Sequence, residues 1–179
     1  MAVEESAIVK ELNHYLLDHP DETAVMTPLF DAMLDHSRLG HCFHDGNCPV
    51  VKAGAILIDE RGRALALRHE DAWGFAEDAP SAADESLSRT AVRVLEEFAG
   101  VHDVWMIPGT ESPVLVDTSR AAPEDGPRTR YGFRYLIRTH SSVLLPGGTV
   151  ASRARWIPLD EVGPPVLRAR LKDRLAVAR

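Results

Sequence analysis

The stretch WGFAEDAPSAADESLSRTAVRVLEEFAGV, residues 73–101, decides the fold. Its second half carries Leu87, Ala91, Val94, Leu95 and Phe98 at the spacing of one helical face. Arg89, Arg93, Glu96 and Glu97 fall on the other side. Asp84 or Ser86 can cap the start, and Gly100 suits a left-handed stop. Adjacent Glu96 and Glu97, on a helix entered from a loop, suit a divalent cation. Taken alone, such a pair reads first as a solvated acidic face.

The flanks give this helix a setting. Residues 51–59 (VKAGAILID) are apolar enough for a strand buried on both faces. Glu60, Arg61 and Gly62 turn the chain, and residues 63–69 return as the second arm of a hairpin. His69, Glu70, Asp71 and Trp73 lead into the helix. Trp73 can stack on a ring or close the core. Beyond the helix, residues 104–107 and 113–117 read as short strands, and 119–127 as a Pro/Gly loop. Residues 129–139 form a long strand with Tyr131, Phe133 and Tyr135 on one face. Residues 152–157 are a further strand, and 166–178 a terminal helix whose arginines and lysine form a solvated face.

The first 48 residues read as a helical extension, ahead of a domain over 49–179. Residues 4–19 place Ile8, Leu12, Tyr15 and Leu16 on one helical face, with Pro20 as the stop. A second helix is expected to start at Thr27 as cap with Pro28 in its first turn, burying Leu29, Phe30, Met33 and Leu34. His41, Cys42, His44 and Cys48 then form the densest group of soft ligands. Their spacing is not that of a common zinc module, and no second pair lies elsewhere.

Composition narrows the classes. With 179 residues, 45% of them hydrophobic and 26% charged, the chain can build one substantial core. A net charge of −7 argues against nonspecific nucleic-acid binding. Two cysteines are too few for a disulfide scaffold, so reduced thiols are the default. The acidic N-terminus is no signal peptide, and no apolar run is long enough to span a membrane. These features predict a cytoplasmic protein with no membrane partner.

In order and spacing the chain resembles the Nudix superfamily. That family's box is a Gly, five residues, a Glu, seven residues, then Arg-Glu-aliphatic-x-Glu-Glu-x-Gly. Aligned on Glu96 and Glu97, the helix register and the aliphatic Val94 fit. Residues 156–162 (WIPLDEV) resemble the signature that closes Nudix cores. The resemblance covers about residues 50–163 and implies an α/β sandwich, a mixed sheet packed between helices. It also implies hydrolysis of a nucleoside diphosphate linked to another group, with Mg²⁺ or Mn²⁺ bridging the pyrophosphate. Metal ligands would come from Glu96, Glu97 and Asp84. Trp73, His69, Tyr131 and Glu77 would line the substrate mouth.

Several letters of the box differ. Its Gly falls on Asp78, its loop Glu on Asp84, its Arg on Val92, and its first helical Glu on Arg93; its final Gly comes one place late, at Gly100. Arg93 and Glu97, four apart, are neighbours on a helix. A guanidinium there would compete with a cation for Glu97, and it cannot be deprotonated away. No carboxylate occurs between Asp125 and Asp160, so a late catalytic acid is missing. The box therefore reads as degenerate.

Three functions fit. One is a metal-independent enzyme using Glu96, His69 or Glu77 as acid/base. Another is a binding or regulatory domain in which Arg93 meets a phosphate. The third is a pyrophosphohydrolase with cations recruited by Glu77, Asp78, Asp84, Glu96 and Glu97; Glu124 and Asp125 are further acids near the site. Together these predict a small nucleotide-like or phosphorylated ligand, with ordinary Mg²⁺-dependent hydrolysis weakened or lost and Glu96, Glu97 and Arg93 at the reacting centre. The aromatic strand face and the N-terminal helices would suit a homodimer.

Overall fold

The computed structural model describes residues 5–40, 48–69, 72–143 and 153–177. Among them are helices α1 (Glu5–Asp18), α2 (Thr23–Leu39), α3 (Leu87–Ala99) and α4 (Pro165–Val177). The strands are β1 (Val50–Ile58), β2 (Arg63–His69), β3 (Ala72–Gly74), β4 (Glu77–Asp78), β5 (Val104–Trp105), β6 (Leu115–Arg120), β7 (Thr129–Thr139) and β8 (Ala154–Pro158). They form one mixed sheet whose main path runs β3-β2-β1-β7-β5. Strand β4 pairs with β1, β6 with β7, and β8 with β2. The central pair β1/β7 is parallel, from Val50 opposite Arg130 to Ile58 opposite Arg138.

Each face of the sheet has its own core. Val51, Ala53, Ala55 and Leu57 of β1 join Tyr131, Phe133, Tyr135 and Ile137 of β7 on one face. Helices α1, α2 and α3 cover that face through Ile8, Leu12, Leu29, Met33, Leu87, Ala91 and Val94. On the opposite face Ile56, Ile58 and Leu136 meet Leu167 and Leu171 of α4. The period of two along β7 also sends Arg130, Arg134 and Arg138 to this second face.

Several sequence expectations change here. The aromatic row of β7 is not exposed: Tyr131 is 3% accessible, and Phe133 and Tyr135 are fully buried, so it offers no dimer face. Helix α2 begins at Thr23, not Thr27, because the 3-10 turn Pro20–Glu22 runs straight into it and the Thr23 hydroxyl donates to Pro20 O. Pro28 therefore lies inside the helix, Met26 joins the buried face and Leu34 is exposed. Phe98 likewise stays 45% exposed, and Thr90 takes the buried position instead. The expected strand 113–117 is displaced to Leu115–Arg120, lengthened by antiparallel pairing with β7.

The arginines of α4 are not a solvated face either. Arg170 donates to Tyr15 Oη at 2.5 Å and pairs with Glu22. Arg174 pairs with Asp18 at 2.9 Å, so α4 is bound to the N-terminal helices. Tyr135 donates to Glu11, a second tie between α1 and the sheet. Among the described residues no helix is long and apolar enough to cross a membrane.

Candidate functional site

Helix α3 starts on Ser86, whose side chain accepts from Arg89 N, and stops on Gly100 in the left-handed region at φ 60°. Asp84 is therefore not the cap. Its carboxylate is buried and turned under the loop, where it accepts from Ser81 N at 2.8 Å and Thr90 Oγ1 at 3.0 Å. Thr90 is the apolar-face exception that makes room for this contact.

Arg93 closes the arrangement. Its Nε donates to Asp84 at 3.1 Å, and its Nη2 donates to Asp84 Oδ2 at 3.1 Å and to Ala79 O at 2.9 Å. Its Nη1 donates to Glu97 Oε2 at 2.8 Å. Loop carboxylate, loop carbonyl and helix carboxylate thus converge on one guanidinium. An arginine has five N–H donors, and these contacts leave a single Nη1 hydrogen for anything else. Arg93 is consequently not free to clamp a phosphate, contrary to the binding-domain expectation. Burial alone would raise the Asp84 carboxyl, but the hydrogen bonds from Arg93, Ser81 N and Thr90 outweigh it and hold its pKa below the ordinary value. The same contact with Asp84 raises Arg93.

A divalent cation does not fit this set. Both Asp84 oxygens and one Glu97 oxygen already face a positive group. Glu96 is half-exposed, with His102 Nδ1 3.7 Å away. Asp78 accepts from Ala79 N. Among the described residues no group of three or more His, Cys, Asp or Glu side chains is placed to hold a metal ion. The proposed ligand set Glu96, Glu97 and Asp84 is thus divided, with Asp84 and Glu97 turned to Arg93. A recess of about 310 Å³ lies alongside, lined by Asp84, Arg89, Val92, Arg93 and Glu96.

A second ionic group stands on the α4 face of the sheet. Glu77 of β4 receives both Nε (2.8 Å) and Nη2 of Arg130, and also Arg134 Nη2 at 2.5 Å. Asp117 of β6 receives Arg130 Nη1 at 2.6 Å and Arg134 Nε at 2.9 Å. Burial would raise Asp117, but Arg134 and Arg130 overcome it and lower its pKa. Among the described residues Arg134 Nη1 is buried without a hydrogen-bond partner. Two glycines make the layer possible. A Cβ on Gly132 would lie 2.4 Å from Arg130 Nη2, and one on Gly54 would lie 2.3 Å from Ala76 O. Glu77 is thus tied into a network that joins β4 to β6 and β7.

Other predicted residues separate. Tyr131 is a core residue and lines no mouth. Trp73 is 40% exposed on β3, with the Arg155 guanidinium 4.1 Å from its ring centroid. His69 ends β2 opposite Ala72, and its side chain is outside the described residues. His41, Cys42 and His44 also lie outside them. Cys48 is disulfide-bonded, against the expectation of reduced thiols, and a disulfide sulfur is not the thiolate a metal site needs. Sequence reading missed Arg130, Arg134 and Asp117. The available signal was the arginine repeat at 130, 134 and 138 on one face of an otherwise apolar strand, since buried arginines require acidic partners.

The chain matches no family model and no curated protein. It does resemble solved structures. Shewanella oneidensis NrtR gives a TM-score of 0.52 at 16% identity over 72% of this chain and 64% of NrtR. NrtR complexed with a 27mer DNA gives 0.51 at 16% identity, over 72% of this chain and 63% of that one. A C. elegans Ap4A hydrolase binary complex gives 0.50 at 13% identity, over 72% of this chain and 96% of that one. The chain therefore spans less than two thirds of NrtR's length. At these identities the likeness is one of fold, and that fold, a mixed sheet between helices, is the Nudix fold.

Proposed function

We propose that this chain is a Nudix-fold protein that binds a small nucleotide-like or phosphorylated metabolite without the usual Mg²⁺-dependent hydrolysis of its pyrophosphate. One observation carries this reading: the Arg93 guanidinium sits among Asp84, Glu97 and Ala79 O, where a cation would need those oxygens. A permanently charged arginine neutralises them without exchange. The loop is thereby held in shape with no metal, and no activated water is generated there. The likeness of fold to an Ap4A hydrolase supports a nucleotide-like ligand class. A net charge of −7 keeps nucleic acid out of the proposal. Trp73, with one face covered by Arg155, is the proposed stacking residue at the ligand mouth. Residues 1–48 are proposed as a helical extension to a Nudix domain over 49–179, supported by the core that Ile8, Leu12 and Leu29 share with the sheet.

The test is to install the missing ligand. Arg93→Glu is expected to bind Mg²⁺ in calorimetry and to gain thermal stability from millimolar Mg²⁺, while the wild type does neither. Ap4A should bind the wild type equally in EDTA and in Mg²⁺, with no turnover detected by chromatography. Tight Mg²⁺ binding by the wild type, or Mg²⁺-dependent cleavage of Ap4A, returns the protein to the pyrophosphohydrolases.

A further inference from the structure

A cleft of about 420 Å³ lies at the far end of the sheet from Glu77, between the β1–β2 turn, β5, the end of β7 and α4. Trp105 and Arg138 stand directly opposite each other across the antiparallel β5/β7 pair. Residues so paired share a face, with Cβ atoms about 5 Å apart. Trp105 is 40% exposed, and its ring leans on His140 at 5.0 Å between centroids. Arg138 is half-buried and, among the described residues, its guanidinium makes no hydrogen bond or ion pair. That distinguishes it from Arg93, Arg130 and Arg134, each of which meets carboxylates. Ile107, Pro108 and Leu175 give the cleft an apolar wall.

The charge balance favours an anion. Arg61 and Arg138 line the cleft with Glu60, so two positive groups face one negative group on a chain whose net charge is −7. Glu60 is also committed elsewhere: it accepts from Ser141 N at 2.6 Å and Ser141 Oγ at 2.5 Å. Its nearest approach to Arg61 is 3.8 Å. The hydroxyl and amide of Ser141 hold its carboxyl down to about 2, so it keeps these contacts across the physiological range. A guanidinium recognises carboxylate or phosphate through paired hydrogen bonds, and an indole beside it offers a flat apolar surface.

We propose that this cleft is a second ligand site, for a small planar aromatic anion whose ring lies on Trp105 and whose carboxylate or phosphate meets Arg138. It is separate from the Arg93 site and does not depend on the reading of that site. Binding here would affect α4 through Leu175, and through α4 the Arg170 and Arg174 ties to the N-terminal helices.

Two probes separate the sources of the anion: AMP for phosphate and 2-naphthoate for carboxylate. Each is titrated into the full chain while the indole N–H signals of its three tryptophans are followed by NMR. The Trp105 signal should shift saturably with at least one probe. Arg138→Gln should weaken that binding roughly tenfold, as loss of a charge-assisted hydrogen bond does. Arg93→Ala should leave it unchanged. Trp105→Leu provides a second variant that removes the ring without touching the charge; read by calorimetry, since its indole signal is gone, it too should weaken binding. The proposal is overturned if neither probe shifts Trp105 at millimolar concentration, if only Trp73 responds, or if Arg138→Gln binds as the wild type does.

Discussion

The two ends of the sheet treat their arginines in opposite ways. At the box end Arg93, Arg130 and Arg134 are each held by carboxylates, and glycines at 132 and 54 leave room beside the guanidinium groups of Arg130 and Arg134. At the far end Arg138, on the same strand face as Arg130 and Arg134, has no such partner among the described residues beside the half-exposed Trp105. An arginine with its acids in place serves folding, because its attraction is already satisfied. An arginine without them keeps its capacity for an external anion. The helix position of Arg93 therefore marks where this chain neutralises its own carboxylates.

The strongest way to break the contrast is Arg93→Ala. It would leave the buried Asp84 carboxylate without its main cation, and the cost should be about 3 kcal/mol, discounted from a fully buried pair because the Arg93 side chain is 22% exposed. In a chain of 179 residues that lowers Tm by roughly 6–12 °C, measurable by calorimetry.

Acid titration should show the next effect. The pKa values of Asp84 and Asp117 are depressed in the folded protein. Their stabilisation is therefore complete above the unfolded carboxylate value of about 4 and is lost as pH falls through the lower folded values. Asp84→Asn should flatten that loss in equilibrium unfolding. Glu11 works in the other sense: burial raises its pKa, so its contribution weakens as pH rises from the unfolded value through the folded one. The smallest effect belongs to the far end. Arg138→Gln removes no internal partner and should change unfolding free energy by less than about 0.5 kcal/mol; a loss near that of Arg93→Ala would erase the contrast.

Local features were readable before the fold was known. The long strand runs over Thr129–Thr139 as its alternation indicated, and its aromatic residues do share one face. The Arg93–Glu97 pair follows from a separation of four on a helix, which brings side chains together whatever surrounds them. The two helix-cap candidates, Asp84 and Ser86, could not be separated by residue type, since both accept from backbone amides. Burial decided between them by placing Asp84 under Thr90 and Arg93.

Sequence by itself determined the period of the box helix, the hairpin before it, the long strand after it and the presence of a permanent cation at position 93, four residues before Glu97. Tertiary structure alone decided which oxygens that cation meets, that the aromatic strand face is core, and that Glu77 belongs with Arg130, 53 residues away. The physical reason is range. Periodicity and i,i+4 contacts are fixed by the geometry of one element, whereas charge pairing between strands depends on which elements the two hydrophobic faces bring together.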